Sequence, residues 1–140
     1  MYYLDTNTCI YYLNGRSQAV RNKILSTPPL EIGIPSVVKA ELIFGAFKSQ
    51  RRAETLENVE DFLKPFEVVP FNDEATYAYA EIRSEIEKSG QLIGPNDTLI
   101  AAIARCHQAI LVTNNQKEFT RVPGLLVENW TEEPGTPAAT

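Results

Sequence analysis

The chain has 140 residues, of which 44% are hydrophobic and 22% charged, and its formal net charge is −5. That length suits one domain with a real core, the composition is ordinary for a globular protein, and no apolar run approaches the ~20 residues of a membrane span. The negative balance excludes a broad basic coat for nucleic acid, while leaving room for a local basic patch beside an acidic cleft.

In chain order, "YYL" reads as a first strand that runs straight into Asp5. "NTCIYYLNG" predicts a short helix ending at Gly15, and "SQAVRNKILS" a second one stopped by Pro28 and Pro29. "LEIGI" is the second strand. Pro35 and Ser36 then open a helix through "VVKAELIFGAF", with Val37, Val38, Leu42, Ile43 and Phe47 as its buried stripe. A further helix covers roughly Arg52 to Leu63 and is ended by Pro65, and "FEVVPF" is the third strand. Asn72 or Asp73 caps a long amphipathic helix to Ser89, with Ala75, Ala78, Ile82 and Ile86 on one face and Gly90 just past its end. "GPNDTLIAAIARCHQ" begins with turn residues and becomes a helix apolar almost all round, hence deeply buried. "AILVTN" and "LLVENW" are strands four and five, and the tail from residue 132 to 140 has the composition of a frayed end.

The strands read as continuous apolar runs alternating with helices, which marks an α/β fold with a mainly parallel sheet covered on both faces. The functional crevice of such a sheet lies beyond the carboxyl ends of its strands, where strand order reverses. Residues 1–131 are expected to form a single domain. The N-terminus lacks a basic region and a cleavage signal, so the expected location is the cytoplasm. Cys9 and Cys106 are the only cysteines, and a disulfide between them stays open; His107 is the only histidine, so a zinc site of His and Cys is not expected. Tyr11, Tyr12, Phe44, Phe47 and Trp130 read first as core, with a partner groove as the alternative for the aromatics of the first and third helices.

Asp5, at the end of the first strand, is either a helix cap or a carboxylate held for chemistry. Asp97 stands at the start of the most apolar helix, where capping competes with a functional role. Glu41 shares a face with Val37, Val38 and Gly45, and a carboxylate there needs an ion pair or a bound cation. Asn115 is most simply a turn residue, and Glu118 most simply decorates a helix surface. A doubly wound sheet would draw Asp5, Glu41 and Asp97 together, and three such carboxylates repel unless something positive sits among them. Oxygen-only ligands select Mg²⁺ or Mn²⁺ over zinc, and Mg²⁺ completes its shell with waters and phosphate oxygens, the equipment of phosphodiester hydrolysis.

The blocks "YLDTNTCIYYLNG", "IPSVVKAELIFGA", "GPNDTLIAAIA" and "LVTNNQKEFTRVPGLLVENW", in this order and spacing, resemble a PIN domain. More closely, they resemble the VapC-type ribonuclease toxins of bacterial toxin–antitoxin pairs, from about residue 1 to residue 130. The resemblance implies a three-layer fold with a five-stranded parallel sheet. It also implies Mg²⁺- or Mn²⁺-dependent endonucleolytic cleavage of RNA, often of a particular tRNA, a homodimer, and inhibition by a VapB-type antitoxin. By motif, Asp5, Glu41 and Asp97 match the family's first three acids and would hold the metal. The fourth acid follows strand four in a Thr-x-Asp pattern; here the stretch is Thr113, Asn114, Asn115, an amide, and Glu118 is the residue to make up the lost charge. Thr6 and Thr113 would hydrogen-bond to the acids. Arg16, Lys48, Arg51, Arg52 and Lys117 are the candidate RNA-binding cations. The competing reading is a non-catalytic RNA- or protein-binding module of the same fold, suggested by the missing acid. A phosphatase with Asp5 as nucleophile ranks below both, because Asn7 stands where a second acid would be wanted.

Overall fold

The computed structural model describes residues 1–131; the expected tail, 132–140, lies outside the described residues. The elements follow in order: β1 (Tyr2–Leu4), α1 (Thr6–Leu13), α2 (Gln18–Ser26), β2 (Ile32–Pro35), α3 (Ser36–Lys48), α4 (Arg52–Leu63), β3 (Glu67–Val69), α5 (Asp73–Ser89), α6 (Pro95–Cys106), β4 (Ile110–Val112), α7 (Gln116–Phe119) and β5 (Leu126–Glu128). The five strands form one sheet in the order β3-β2-β1-β4-β5, and every pair is parallel. β1 therefore sits in the middle, with β2 on one side and β4 on the other. The chain leaves β1 in one direction and later returns in the other, which makes the β1/β4 boundary the switch point.

Burial explains the strand sequences. Leu4, Ile34, Leu111 and Val112 have no exposed surface, as expected of strands covered on both faces. α1 packs against α2, α3 and α4, while α5 packs against α6. α6 buries Ile100, Ala101, Ala102, Ile103 and Ala104, so its small residues let it lie close to the sheet and to its neighbours. The Asn72 side chain caps α5 by accepting from the Ala75 N–H at 3.1 Å, and Gly90 ends that helix in the left-handed region at φ 71°. Gly33 is required by a close approach. A Cβ there would stand 2.7 Å from Tyr3 Cε1 and 3.0 Å from Val69 Cγ2, so the Tyr3 ring occupies the space a side chain would need.

Three expectations need correction. Leu30 and Glu31 do not open the second strand; with Pro29 they form a 3-10 turn, and Leu30 is 90% exposed. Pro28 and Pro29 favour that turn over an extended entry. The stripe of α3 is narrower than expected: Val38, Leu42 and Ala46 are buried at a spacing of four, while Gly45 and Phe47 are exposed. Phe44 and Phe47, read as core, face solvent at 62% and 48% exposure, whereas Trp130 is buried and Tyr11 and Tyr12 are half-buried. Cys9 and Cys106 are free thiols.

Candidate active site

The carboxyl edge of the sheet is built from chain ends and first turns. The Asp5 N–H donates to the Val112 carbonyl at 3.0 Å and extends the β1–β4 ladder by one step. Its carboxylate Oδ1 accepts from the Thr8 N–H at 2.9 Å, which makes Asp5 the cap of α1. Asp5 thus caps α1 from the carboxyl end of β1, beside Thr113 and within reach of the Glu41 charge. It is only 4% exposed. Burial pushes its pKa up, the Thr113 hydroxyl and the Thr8 N–H pull it down, and Glu41 pushes it up again. The Thr8 hydroxyl donates to the Val112 carbonyl at 3.1 Å and locks α1 to the end of β4.

Glu41 reaches the same edge from α3. The Thr6 hydroxyl donates to its Oε1 at 2.6 Å. Glu41 is half-exposed on the flank of α3 and not within the packed face, which corrects the buried placement expected from its neighbours. Asp97 enters from the first turn of α6, three residues after Gly94, the N-terminal flank of that helix, and makes no cap bond. Burial, then Glu118, Asp5 and Glu41, raise the Asp97 pKa from 3.8 to about 6. Asp97 and Glu118 lie close enough to shift each other in opposite directions, and Glu118 is held below the usual carboxylate range.

Glu118 owes that low pKa first to the Gly94 N–H, which donates to its Oε1 at 3.0 Å, and next to Asn115 Nδ2, which donates to its Oε2 at 2.6 Å. Asn115, which stands where the family pattern has an acid, orients a carboxylate through its amide. Thr113 serves the same turn: its hydroxyl oxygen accepts from the Asn115 N–H at 2.9 Å while the hydroxyl lies beside Asp5. Sequence reasoning missed Thr8 and Gly94. An N-cap at Asp5 implies a backbone donor three residues on, but nothing in the residue type singles out Thr8. Gly94 acts through its backbone N–H, which no residue type announces.

Asp5 at the end of β1, Glu41 in the second turn of α3, and Asp97 and Glu118 in the first turns of α6 and α7 thus come from four separate elements and feel one another's charge. Among the described residues, no three potential ligands close around a single point. The donor set is oxygen only, with no imidazole or thiolate in it. That suits a hard cation which takes one or two carboxylates and keeps its waters, and it does not suit zinc. The residues fit a divalent ion of the Mg²⁺ class.

The expected cations divide into two groups. Arg16 and Lys117 are near the site: Arg16 lines a cavity with Asn114, and Lys117 precedes Glu118 on α7. Lys48, Arg51 and Arg52 stand at the other end of α3, with Lys48 about 10 Å along the axis from Glu41. Lys48 lies over the Phe44 ring at 4.9 Å, Arg52 over Phe47 at 4.3 Å, and Arg51 pairs with Glu54 at 3.7 Å. They are therefore not at the rim of the carboxylate cluster, because the axis of α3 carries them away from it.

A family model described as PIN domain matches residues 2–125. The chain is 41% identical over 131 residues to Ribonuclease VapC2 of Rickettsia felis, covering 93% of this chain and 98% of that protein. It is 37% identical over 128 residues to the tRNA(fMet)-specific endonuclease VapC of Salmonella typhimurium, covering 91% and 96%. Among solved structures, it is similar to VapBC2 from Rickettsia felis bound to a promoter DNA fragment. That match has a TM-score of 0.86 and 41% identity, over 92% of this chain and 98% of that one.

Proposed function

The chain belongs to the PIN-domain family and, within it, to the VapC ribonucleases, and on that premise we propose that it is the toxic endoribonuclease of a type II toxin–antitoxin system. It hydrolyses RNA phosphodiester bonds at the carboxyl edge of its sheet and depends on a divalent metal, Mg²⁺ with Mn²⁺ as a substitute. The observation that carries this reading is the convergence of Asp5, Glu41, Asp97 and Glu118 at the carboxyl edge beside the β1/β4 boundary, held there by Thr6, Thr8, Gly94 and Asn115. A protein gathers four mutually repelling acids at a switch point when a cation and a phosphate are to meet there.

Asp5, Glu41 and Asp97 would hold the ion. When bound, the ion lowers the pKa of a water and offsets charge on the phosphate oxygens. The chain's own residues do the positioning. Thr6 aims Glu41, Thr113 and the Thr8 N–H hold Asp5, and Gly94 with Asn115 fixes Glu118 as an ionised acceptor beside Asp97. In this reading Glu118 stands in for the fourth acid, which its contacts with Gly94 and Asn115 support. Arg16 and Lys117 are the nearest cations for substrate, and Lys48, Arg51 and Arg52 extend the track along α3. Transfer RNA is the substrate class to test first, since the Salmonella typhimurium relative is a tRNA(fMet)-specific endonuclease.

Residues 1–131 are one PIN domain. A VapB-type antitoxin and a second copy of this chain complete the assembly, for which the exposed Phe44 and Phe47 offer apolar surface. No helix of the described residues is long and apolar enough to cross a membrane, and the protein acts in the cytoplasm, where its RNA is. The test is mapped cleavage of total RNA with and without Mg²⁺. Cuts that vanish with EDTA and return with Mg²⁺ or Mn²⁺ are expected. Cuts indifferent to EDTA would overturn the metal mechanism, and no cuts under any condition would favour the binding module.

A further inference from the structure

At the carboxyl edge of the sheet, on the opposite side of Asp5 from Glu41, lies a cavity of about 330 Å³ lined by Tyr11, Arg16, Ser17, Asn114 and Thr131. None of these lining residues is acidic, although the neighbouring site is built of acids. Asn114 is the middle residue of the turn whose outer members, Thr113 and Asn115, hold Asp5 and Glu118. Its Nδ2 donates to the Tyr11 hydroxyl at 2.7 Å, which leaves the phenol hydrogen free to be donated elsewhere. Its Oδ1 is buried and has no hydrogen-bond partner among the described residues. The Arg16 backbone is fixed: its N–H donates to Asn14 Oδ1 at 2.9 Å and to the Tyr11 carbonyl at 3.1 Å. Its guanidinium makes no ion pair among the described residues.

We infer that this cavity is a nucleotide subsite flanking the scissile bond, in which Arg16 takes a phosphate and Tyr11 with Asn114 meets the edge of the adjoining base. The inference rests on the ribonuclease reading. A polyanion approaching four carboxylates needs a cation beside them to set its register, and Arg16 is the cation that shares a wall with the catalytic turn. An unstacked base supplies both an acceptor for the phenol hydrogen and an N–H for the unpartnered Asn114 oxygen, which a small turn about the soft terminal torsion presents to it. An acidic peptide offers a carboxylate for Arg16 and a backbone N–H and carbonyl for the other two groups, so the polar lining alone does not choose between the two ligands. Position decides for the nucleotide: the cavity shares the Thr113–Asn115 turn with the carboxylates, so RNA cut beside Asp5 must pass over Arg16 and Asn114.

The test digests total bacterial RNA in Mg²⁺ with the wild type and with Arg16→Ala, Tyr11→Phe and Asn114→Ala, and sequences the cut ends. Arg16 is exposed, so its replacement leaves the fold intact and carries the decisive arm. Arg16→Ala is expected to raise KM for the principal cleaved RNA about tenfold, with the loss in KM and not in kcat. It should also reduce the salt slope of log(kcat/KM) by about 0.7. Tyr11→Phe and Asn114→Ala should relax base preference at one position beside the cut. Unchanged KM, salt slope and cut profile for Arg16→Ala would overturn the subsite. So would variants that cut RNA normally but release the antitoxin, because the cavity would then be a peptide pocket. If the wild type cuts no RNA with either metal, the ribonuclease reading has failed first, and its failure is distinguishable from that of the subsite.

Discussion

Asp97 takes up a proton more readily than an ordinary carboxylate. With its pKa near 6, the carboxyl is partly protonated at neutral pH, and a divalent ion competes with that proton. Asp97→Asn removes one charge from the cluster, so cleavage should fall by a factor on the order of 100 or more, while the metal-free protein should melt higher at neutral pH. RNA cleavage and thermal melting on the same preparation check both halves. Thr6→Val deletes the 2.6 Å bond to Glu41 and leaves the backbone alone. A loss of about tenfold in Mg²⁺ affinity is expected, read by titration of activity against Mg²⁺. At this scale much of the site was legible. Asp5, Glu41 and Asp97 stand in recognisable motifs, and Glu118 could be named once Asn115 was seen to lack a charge. Gly94 and the Thr8 N–H were not legible in the same way, because a backbone donor has no letter of its own. Nor does spacing along α3 tell that Glu41 sits on the flank of its helix and not in the packed face.

The elements were readable wherever one local signal dominated. Asn72 and Gly90 bracket α5, and the run Thr98 to Ala104 could only be a buried helix. Reading failed where tertiary placement decided. Nothing local says that α3 buries Ala46 and turns Phe47 outward, since both are apolar and adjacent. Prolines were read as helix stops and not as the makers of the turn at Pro29–Glu31. Gly33 is the element-scale test. Gly33→Ala forces the Tyr3 ring or the strand to shift, because the new carbon would stand 2.7 Å from Cε1. A loss of about 1–3 kcal/mol is expected by urea unfolding, with cleavage per folded molecule unchanged. No loss of stability would show that the strands already have slack there.

For the whole molecule, the charge cluster couples stability to pH. The folded pKa of Asp97, about 6, lies above its ordinary 3.8, so its contribution is complete below 3.8 and is lost as pH rises through 6. Asp5 is raised too and acts in the same direction, whereas the lowered Glu118 acts in the opposite one. Asp97→Asn isolates the first contribution. Without metal, the wild type should lose melting temperature relative to the variant between about pH 4 and pH 6, by a few degrees at most given the partial exposure of Asp97. Adding Mg²⁺ at about pH 7.5 should restore the wild type and leave the variant unmoved, since binding to the folded form stabilises it.

The site's members stand far apart along the polypeptide, from Asp5 to Glu118, and they meet only because β4 inserts beside β1. During translation β1 emerges first and waits for its neighbour until residues 110–112 have followed it. A nascent chain short of α7 therefore displays separate acids and no assembled crevice, and any fragment ending before β4 should be inert towards RNA.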